Sequence, residues 1–192
     1  AWAMRHASER VAIEQYHVMR TIAPVAALTI GSKNYTSTVP ASLGMSSELM
    51  RFIGLFIAEG HAAGKYSIIS TADASIRSEL EVGAQLFGKV LRKREGTYDY
   101  VVGGTIISTL LKTWVGRVAG EKHLPVFWPQ LSDEHLGALL SGIFAGDGCV
   151  ETNSATLSTV SRELASDVQL ALTRFGVQAR IRQKWVLYRG ER

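Results

Sequence analysis

Two stretches of this chain carry the same apolar, glycine-containing helix end, and each stops on one acid. The first is Phe52-Ile53-Gly54-Leu55-Phe56-Ile57-Ala58-Glu59-Gly60, and the second is Leu140-Ser141-Gly142-Ile143-Phe144-Ala145-Gly146-Asp147-Gly148. Glu59 and Asp147 lie 88 residues apart, and the same offset, without gaps, matches much more. Ser70-Thr71 falls on Ser158-Thr159, Phe87-Gly88 on Phe175-Gly176, Arg92 on Arg180, Arg94 on Arg182 and Tyr100 on Tyr188. A match of that length in register is an internal repeat. The chain is therefore expected to fold as two copies of one unit, a pseudo-dimer in a single polypeptide with one acid per copy.

The length of 192 residues suits two small fused units or one larger domain. Hydrophobic residues make up 46%, enough for a sizeable core. The balance is basic, 21 Lys+Arg against 17 Asp+Glu, which points weakly to a polyanionic partner. Cys149 is the single cysteine, so no internal disulfide can form, and the composition suits a reducing, intracellular compartment. The sequence shows no secretory signal, and its longest apolar run, around Leu136 to Gly146, is too short to span a bilayer. The chain opens on Ala1, as a processed or excised protein would.

Residues 1–45 form an N-terminal extension outside the repeat, 46–130 the first unit and 131–192 the second. In the extension, Ala3 to Arg20 is read as a helix with Met4, Val11, Tyr16 and Met19 on loosely one side, and Gly31 to Pro40 as a loop or short strands. In the first unit, Ser46 or Ser47 caps a helix that runs to Glu59. A strand follows at Lys65 to Thr71. Asp73 then caps a helix ending near Phe87, with Gly88 as its left-handed terminator. Val90 to Arg94 and Tyr98 to Val102 read as a hairpin around Glu95-Gly96, and Thr105 to Val115 as a helix. The second unit repeats the order: a motif helix from Ser132, a strand at Ala155 to Thr159, a helix from Ser161 to Phe175, and a strand at Gln178 to Lys184. The counterpart of the Thr105 helix would be residues 193 to 203, so the second unit is expected to be C-terminally incomplete.

Gly54 and Ala58 sit four apart, as do Gly142 and Gly146. Small residues at that spacing clear a strip along a helix and let two backbones approach closely. Glu59 and Asp147 then end these helices, where the helix dipole is negative and an anion costs roughly 0.3–1 kcal/mol. If the helices pack side by side, the two acids also repel each other. Stability alone does not ask for that arrangement. A divalent cation would, because hard cations take carboxylate and carbonyl oxygens. Two such acids near a two-fold axis could hold metals for attack on two phosphates, one on each strand of a duplex.

At these residues the chain resembles the LAGLIDADG homing endonucleases of the single-chain, two-motif type, over roughly residues 46 to 192. The resemblance implies an α+β fold, two pseudo-symmetric αββαββα halves packed through the motif helices, with a β-saddle for double-stranded DNA. It implies that Glu59 and Asp147 bind Mg²⁺ together with the carbonyls of Ala58 and Gly146, and that a monomer makes a double-strand break with short 3′ overhangs at a long, imperfectly symmetric site. Lys122-His123-Leu124-Pro125 resembles the Lys-x-Ile-Pro step that precedes the second motif, which makes Lys122 a catalytic-site cation. Its counterpart would stand at position 210, so the second lysine has no position in this sequence.

Each reading has a plainer rival. Core packing explains the motif glycines but not an acid at the same final position twice. Lys122 could be a solvated loop lysine. Arg92 and Arg94, with Arg180, Arg182 and Lys184, alternate along the expected strands and so share a sheet face. That face is either merely wet or, given its recurrence, a DNA-binding surface. His61 and Cys149 share a repeat offset beside the acids, but no further His or Cys stands at zinc-like spacing. Tyr100 and Tyr188 read as packing residues. The main alternative function is a catalytically degenerate relative or RNA maturase that keeps the fold to grip nucleic acid. A complete intein splicing domain is not expected, since few residues precede the first motif and no His-Asn ends the chain. An intron-encoded enzyme or an excised intein nuclease region both remain open.

Overall fold

The structure, a computed structural model, describes residues 3–6, 9–12, 29–31 and 38–184. Four short strands open the chain: β1 (Ala3–His6), β2 (Glu9–Ala12), β3 (Thr29–Gly31) and β4 (Thr38–Pro40). They pair antiparallel in the order β2-β1-β3-β4. The helix expected over Ala3 to Arg20 is therefore absent from its described part. Met4 and Val11, seven apart and so on one face of a helix, lie directly opposite each other in the β1–β2 register.

The first motif helix, α1 (Ser47–Glu59), is capped by the Ser46 side chain, which accepts the Leu49 N–H at 3.2 Å. It leads straight into β5 (Gly60–Ala62) and β6 (Tyr66–Ser70). Next comes α2 (Ala74–Leu86), with Asp73 as its N-cap and Gly88 beyond its end at φ 65°. The hairpin β7 (Leu91–Lys93) and β8 (Asp99–Gly103) turns at Gly96, φ 69°. These four strands make an antiparallel sheet in the order β5-β6-β8-β7. Helix α3 (Thr105–Val115) packs on that sheet, and the chain then crosses through two single 3₁₀ turns to the second motif helix.

That helix, α4 (Asp133–Asp147), is capped by Ser132, whose Oγ accepts the His135 N–H. A hairpin follows, β9 (Gly148–Glu151) with β10 (Ser154–Leu157), and then α5 (Arg162–Thr173) with Ser161 as its N-cap. The strand expected over Gln178 to Lys184 does not form, and these residues, exposed apart from half-buried Ala179, pair with no sheet among the described residues. In the first unit β7 is a strand because it pairs with β8. The residues at the offset of β8, 187–191, lie outside the described residues, as does Tyr188. The fold is α+β. Its core is one continuous apolar cluster built on α1, where Phe52, Ile53, Leu55 and Phe56 are fully buried. Phe52 stacks obliquely on Phe87, ring centres 5.7 Å apart, which joins α1 to the end of α2.

Candidate active site

The two motif helices form the largest interface between any two elements of the described fold. Glycine is what lets them meet. A Cβ at Gly54 would lie 2.2 Å from the Leu139 carbonyl oxygen and 2.9 Å from the Gly142 Cα. One at Gly142 would lie 2.5 Å from the Arg51 carbonyl oxygen and 2.8 Å from the Gly54 Cα. Farther along, a Cβ at Gly146 would strike the Ala58 Cβ at 2.6 Å and the Glu59 Cγ at 2.8 Å. So the small-residue strip read from the sequence is the line along which the helices touch, and it continues to the acids themselves. Polar ties fix the pair from outside. Arg51 of α1 holds both carboxylate oxygens of Glu79 on α2 and reaches Ser141 Oγ on α4 at 2.6 Å, and Ser47 Oγ donates to Glu134. Sequence reasoning misses Arg51; only its charge just before the apolar motif marks it.

At the end of the strip Glu59 and Asp147 are both partly buried. Burial raises the Glu59 carboxyl above its ordinary value. Burial, and then the charge of Glu59, push Asp147 up to about 6, while Lys122 pulls the other way. The two acids therefore repel each other across the interface, as the side-by-side packing requires. Within reach of the Asp147 charge is Lys122, only 2% exposed and not a solvated loop residue. Its Nζ donates to the Phe56 carbonyl at 2.9 Å and stands 3.9 Å over the Phe56 ring centre. Burial brings this lysine down to about 7, opposed by the charges of Asp147 and Glu121.

The donor set suits a hard cation. Two carboxylates adjoin the carbonyl ends of two helices, and the amide that would continue α1 onto Ala58, that of Ala62, donates instead to the Arg117 carbonyl. Among the described residues no three His, Cys, Asp or Glu side chains converge. A cation here would thus complete its shell from backbone oxygens, water and substrate phosphate, as Mg²⁺ commonly does.

Of the arginines, Arg92 is exposed on β7, and Arg94, just past that strand, pairs with Asp99 at 3.4 Å. Arg180, Arg182 and Lys184 are exposed but stand on irregular chain, so the strand alternation expected to place them on one sheet face does not hold there. Tyr100 is buried on β8. His61 and Cys149 are both exposed. No helix among the described residues is long and apolar enough to cross a membrane.

The acids and the lysine act in opposite pH ranges on the metal-free protein. The fold favours protonated Asp147, so that contribution to stability is full below 3.8 and lost as pH rises through about 6, with Glu59 in the same direction. It favours neutral Lys122, so that contribution is full above 10.5 and lost as pH falls through about 7. The unfolding midpoint in EDTA is expected to pass through a local minimum between about pH 6 and pH 7. Asp147→Asn should shrink the acid-side fall, leaving the part due to Glu59, and Lys122→Met should remove the alkaline-side rise. A profile that neither substitution alters would contradict this account of the site.

Residues 134–192, which hold the second motif helix, match the family model of a LAGLIDADG-like domain. The chain is 32% identical over 145 residues to a replication factor C small subunit of Thermococcus kodakarensis, covering 72% of this chain and 16% of that protein. It is 31% identical over 148 residues to a replication factor C small subunit of Methanocaldococcus jannaschii, covering 72% and 8% respectively. It is also 30% identical over 136 residues to the iron-sulfur cluster assembly SufBD family protein ML0593 of Mycobacterium leprae, covering 66% of this chain and 16% of that protein. In each case the chain spans less than a fifth of the length of the relative it matches.

Proposed function

We propose that this chain is a Mg²⁺-dependent, site-specific homing endonuclease that cuts both strands of a long, imperfectly symmetric DNA site as a monomer. One observation carries the reading: two helices are packed glycine to glycine so that Asp147 feels the charge of Glu59 from the facing helix and that of a buried lysine. That arrangement costs stability twice, at the negative ends of two helix dipoles and by carboxylate repulsion. A phosphodiesterase has use for it. Glu59 and Asp147, with the carbonyls of Ala58 and Gly146, would hold the cation, which supplies charge stabilisation at the scissile phosphates and an activated water when bound. Lys122, poised near neutrality, would give or take a proton at Nζ or polarise water there.

The match to a LAGLIDADG-like domain supports the nuclease class. The relatives support a mobile origin. Replication factor C small subunits and an iron-sulfur cluster assembly protein share no task in their names, yet each contains a stretch like this chain amounting to 16% or less of its length. A segment common to unrelated proteins has a function of its own, and an intein-borne nuclease is such a segment. Between the two origins open at the sequence level, this favours the intein over the intron.

The test is selection of cleavable duplexes from a randomised library with Mg²⁺, reading the cut ends by sequencing. Recovery of one long imperfect palindrome with cuts on both strands is expected. Tight, specific binding without cutting would leave a nucleic-acid binder instead, and no binding at all would overturn the proposal.

Exposed Arg92, Arg180, Arg182 and Lys184 would supply phosphate or base-edge contacts. Replacing the last three by Gln is expected to weaken binding and to flatten its salt dependence, by about 0.9 in log–log slope for each phosphate the protein no longer neutralises. Where a residue reads a base, the substitution should relax preference at that position instead. Unchanged affinity and slope would move the DNA to another surface.

A further inference from the structure

Lys122 lies on a connection without regular structure, yet it is buried and aimed at one carbonyl on another helix. A lysine side chain has four rotatable bonds and loses roughly 2 kcal/mol of rotamer freedom when fixed, so something must fix its backbone first. The Ala119 and Val115 carbonyls accept the Lys122 and His123 N–H groups at 3.4 Å, and α5 adds the two shorter bonds. Ser161 Oγ donates to the Lys122 carbonyl at 2.5 Å, and Asp167 accepts the Leu124 N–H at 3.0 Å. One helix thus grips both ends of Lys122-His123-Leu124. Both Ser161 and Leu124 are 2% exposed, so water competes little for these bonds.

The repeat shows that the grip is particular to one unit. At the offset of Ser161 the first unit has Asp73, and both are N-caps. Asp73 is exposed and only accepts, from the amide and hydroxyl of Ser75. Ser161 accepts the Leu164 N–H at 3.1 Å and at the same time donates to Lys122. An ionised aspartate can cap but has no proton to give; a hydroxyl does both. Asp167 likewise falls at the offset of Glu79, which is engaged with Arg51. The two units place the same helix with different polar residues, and the differences meet on the lysine segment.

We infer that Ser161 and Asp167 are positioning residues that hold the Lys122 backbone so that its Nζ stays against the Phe56 carbonyl at the end of the first motif helix. The inference rests on the nuclease reading for its consequence, since a displaced lysine matters only if Lys122 acts on DNA.

The experiment uses the full chain and two readouts. The first needs no activity. Lys122 lies over the Phe56 ring, so its side-chain methylene resonances should be displaced upfield in lysine-labelled protein and should return to ordinary values in variants that displace Lys122. The second is single-turnover cleavage of the selected site beside the dissociation constant for that DNA. Ser161→Ala and Asp167→Ala are expected to abolish the ring shift and slow cutting by about tenfold to a hundredfold, with DNA affinity unchanged. Ser161→Thr and Asp167→Asn keep the donor and the acceptor and should restore both readouts. Ser161→Gly separates the two roles: glycine is tolerated at a helix N-cap at little cost but has no hydroxyl to donate, so it should behave as Ser161→Ala. If Ser161→Gly and Asp167→Ala are folded by circular dichroism and keep the shifted lysine, the inference is wrong. If the unmodified protein shows the shifted lysine and binds its site but never cuts, the nuclease reading fails, separately from the grip on the lysine.

Discussion

Replacing Gly142 by leucine is expected to destabilise the protein by about 3 kcal/mol or more, a fall in unfolding midpoint of about 6–12 °C for a chain of this size. The reason is the identity of the atoms a side chain would meet. The Arg51 carbonyl oxygen, the Gly54 Cα and the Leu55 N, all within 2.9 Å of a Cβ at this position, are backbone. No rotamer change can make room, so α1 and α4 must part, and with them the largest interface in the described fold. Alanine gives the sharper comparison. On an unconstrained helix, Gly→Ala gains about 1 kcal/mol. Here even one methyl group is blocked, so Gly142→Ala should lower the midpoint in a thermal melt. A rise in midpoint would mean that the helices do not meet at this glycine.

That interface was legible in the sequence because its signal is local. Three glycines and one alanine, paired four apart on each helix, define the strip whatever surrounds them. The caps were legible for the same reason, and Ser46, Asp73, Ser132 and Ser161 all accept a backbone N–H where expected. The N-terminal sheet was not. A spacing of seven, as between Met4 and Val11, is one helix face and equally one cross-strand pair, and β1 is also paired to β3, far along the chain. The Arg180 segment failed differently. Alternating charge makes a strand possible, but a strand exists only by pairing, and no partner lies among the described residues. Lys122 stood out by resemblance, while its burial and its hold on Phe56 depend on packing against a helix 66 residues away. The substitution of Ser161 for Asp73 at one repeat position was visible from the start. Its meaning needed the hydrogen bond that only a hydroxyl can make.

Asp147→Asn and Glu59→Gln are each expected to reduce double-strand cutting by about 10²–10³-fold, the scale on which preorganised electrostatic groups act. The side chains keep their shape and lose their charge, so cation binding at the site is what fails. Folding should improve. The acid at 147 is raised to about 6 by burial and by the neighbouring carboxylate, so at pH 8 the unliganded protein carries a repulsion that the amide removes. The midpoint of Asp147→Asn in EDTA at pH 8 should therefore exceed that of the unmodified protein, and added Mg²⁺ should raise the unmodified protein more than the variant. DNA affinity should persist, because the cationic residues proposed to grip the duplex lie elsewhere. The assay is a supercoiled plasmid carrying the selected site, followed from supercoiled through nicked to linear form, with Mg²⁺ or Ca²⁺ for each variant. Cutting at the unmodified rate by the double variant Glu59→Gln/Asp147→Asn would refute the mechanism. A loss of cutting that came with a lower midpoint would instead make these acids structural, against everything their burial and mutual repulsion imply.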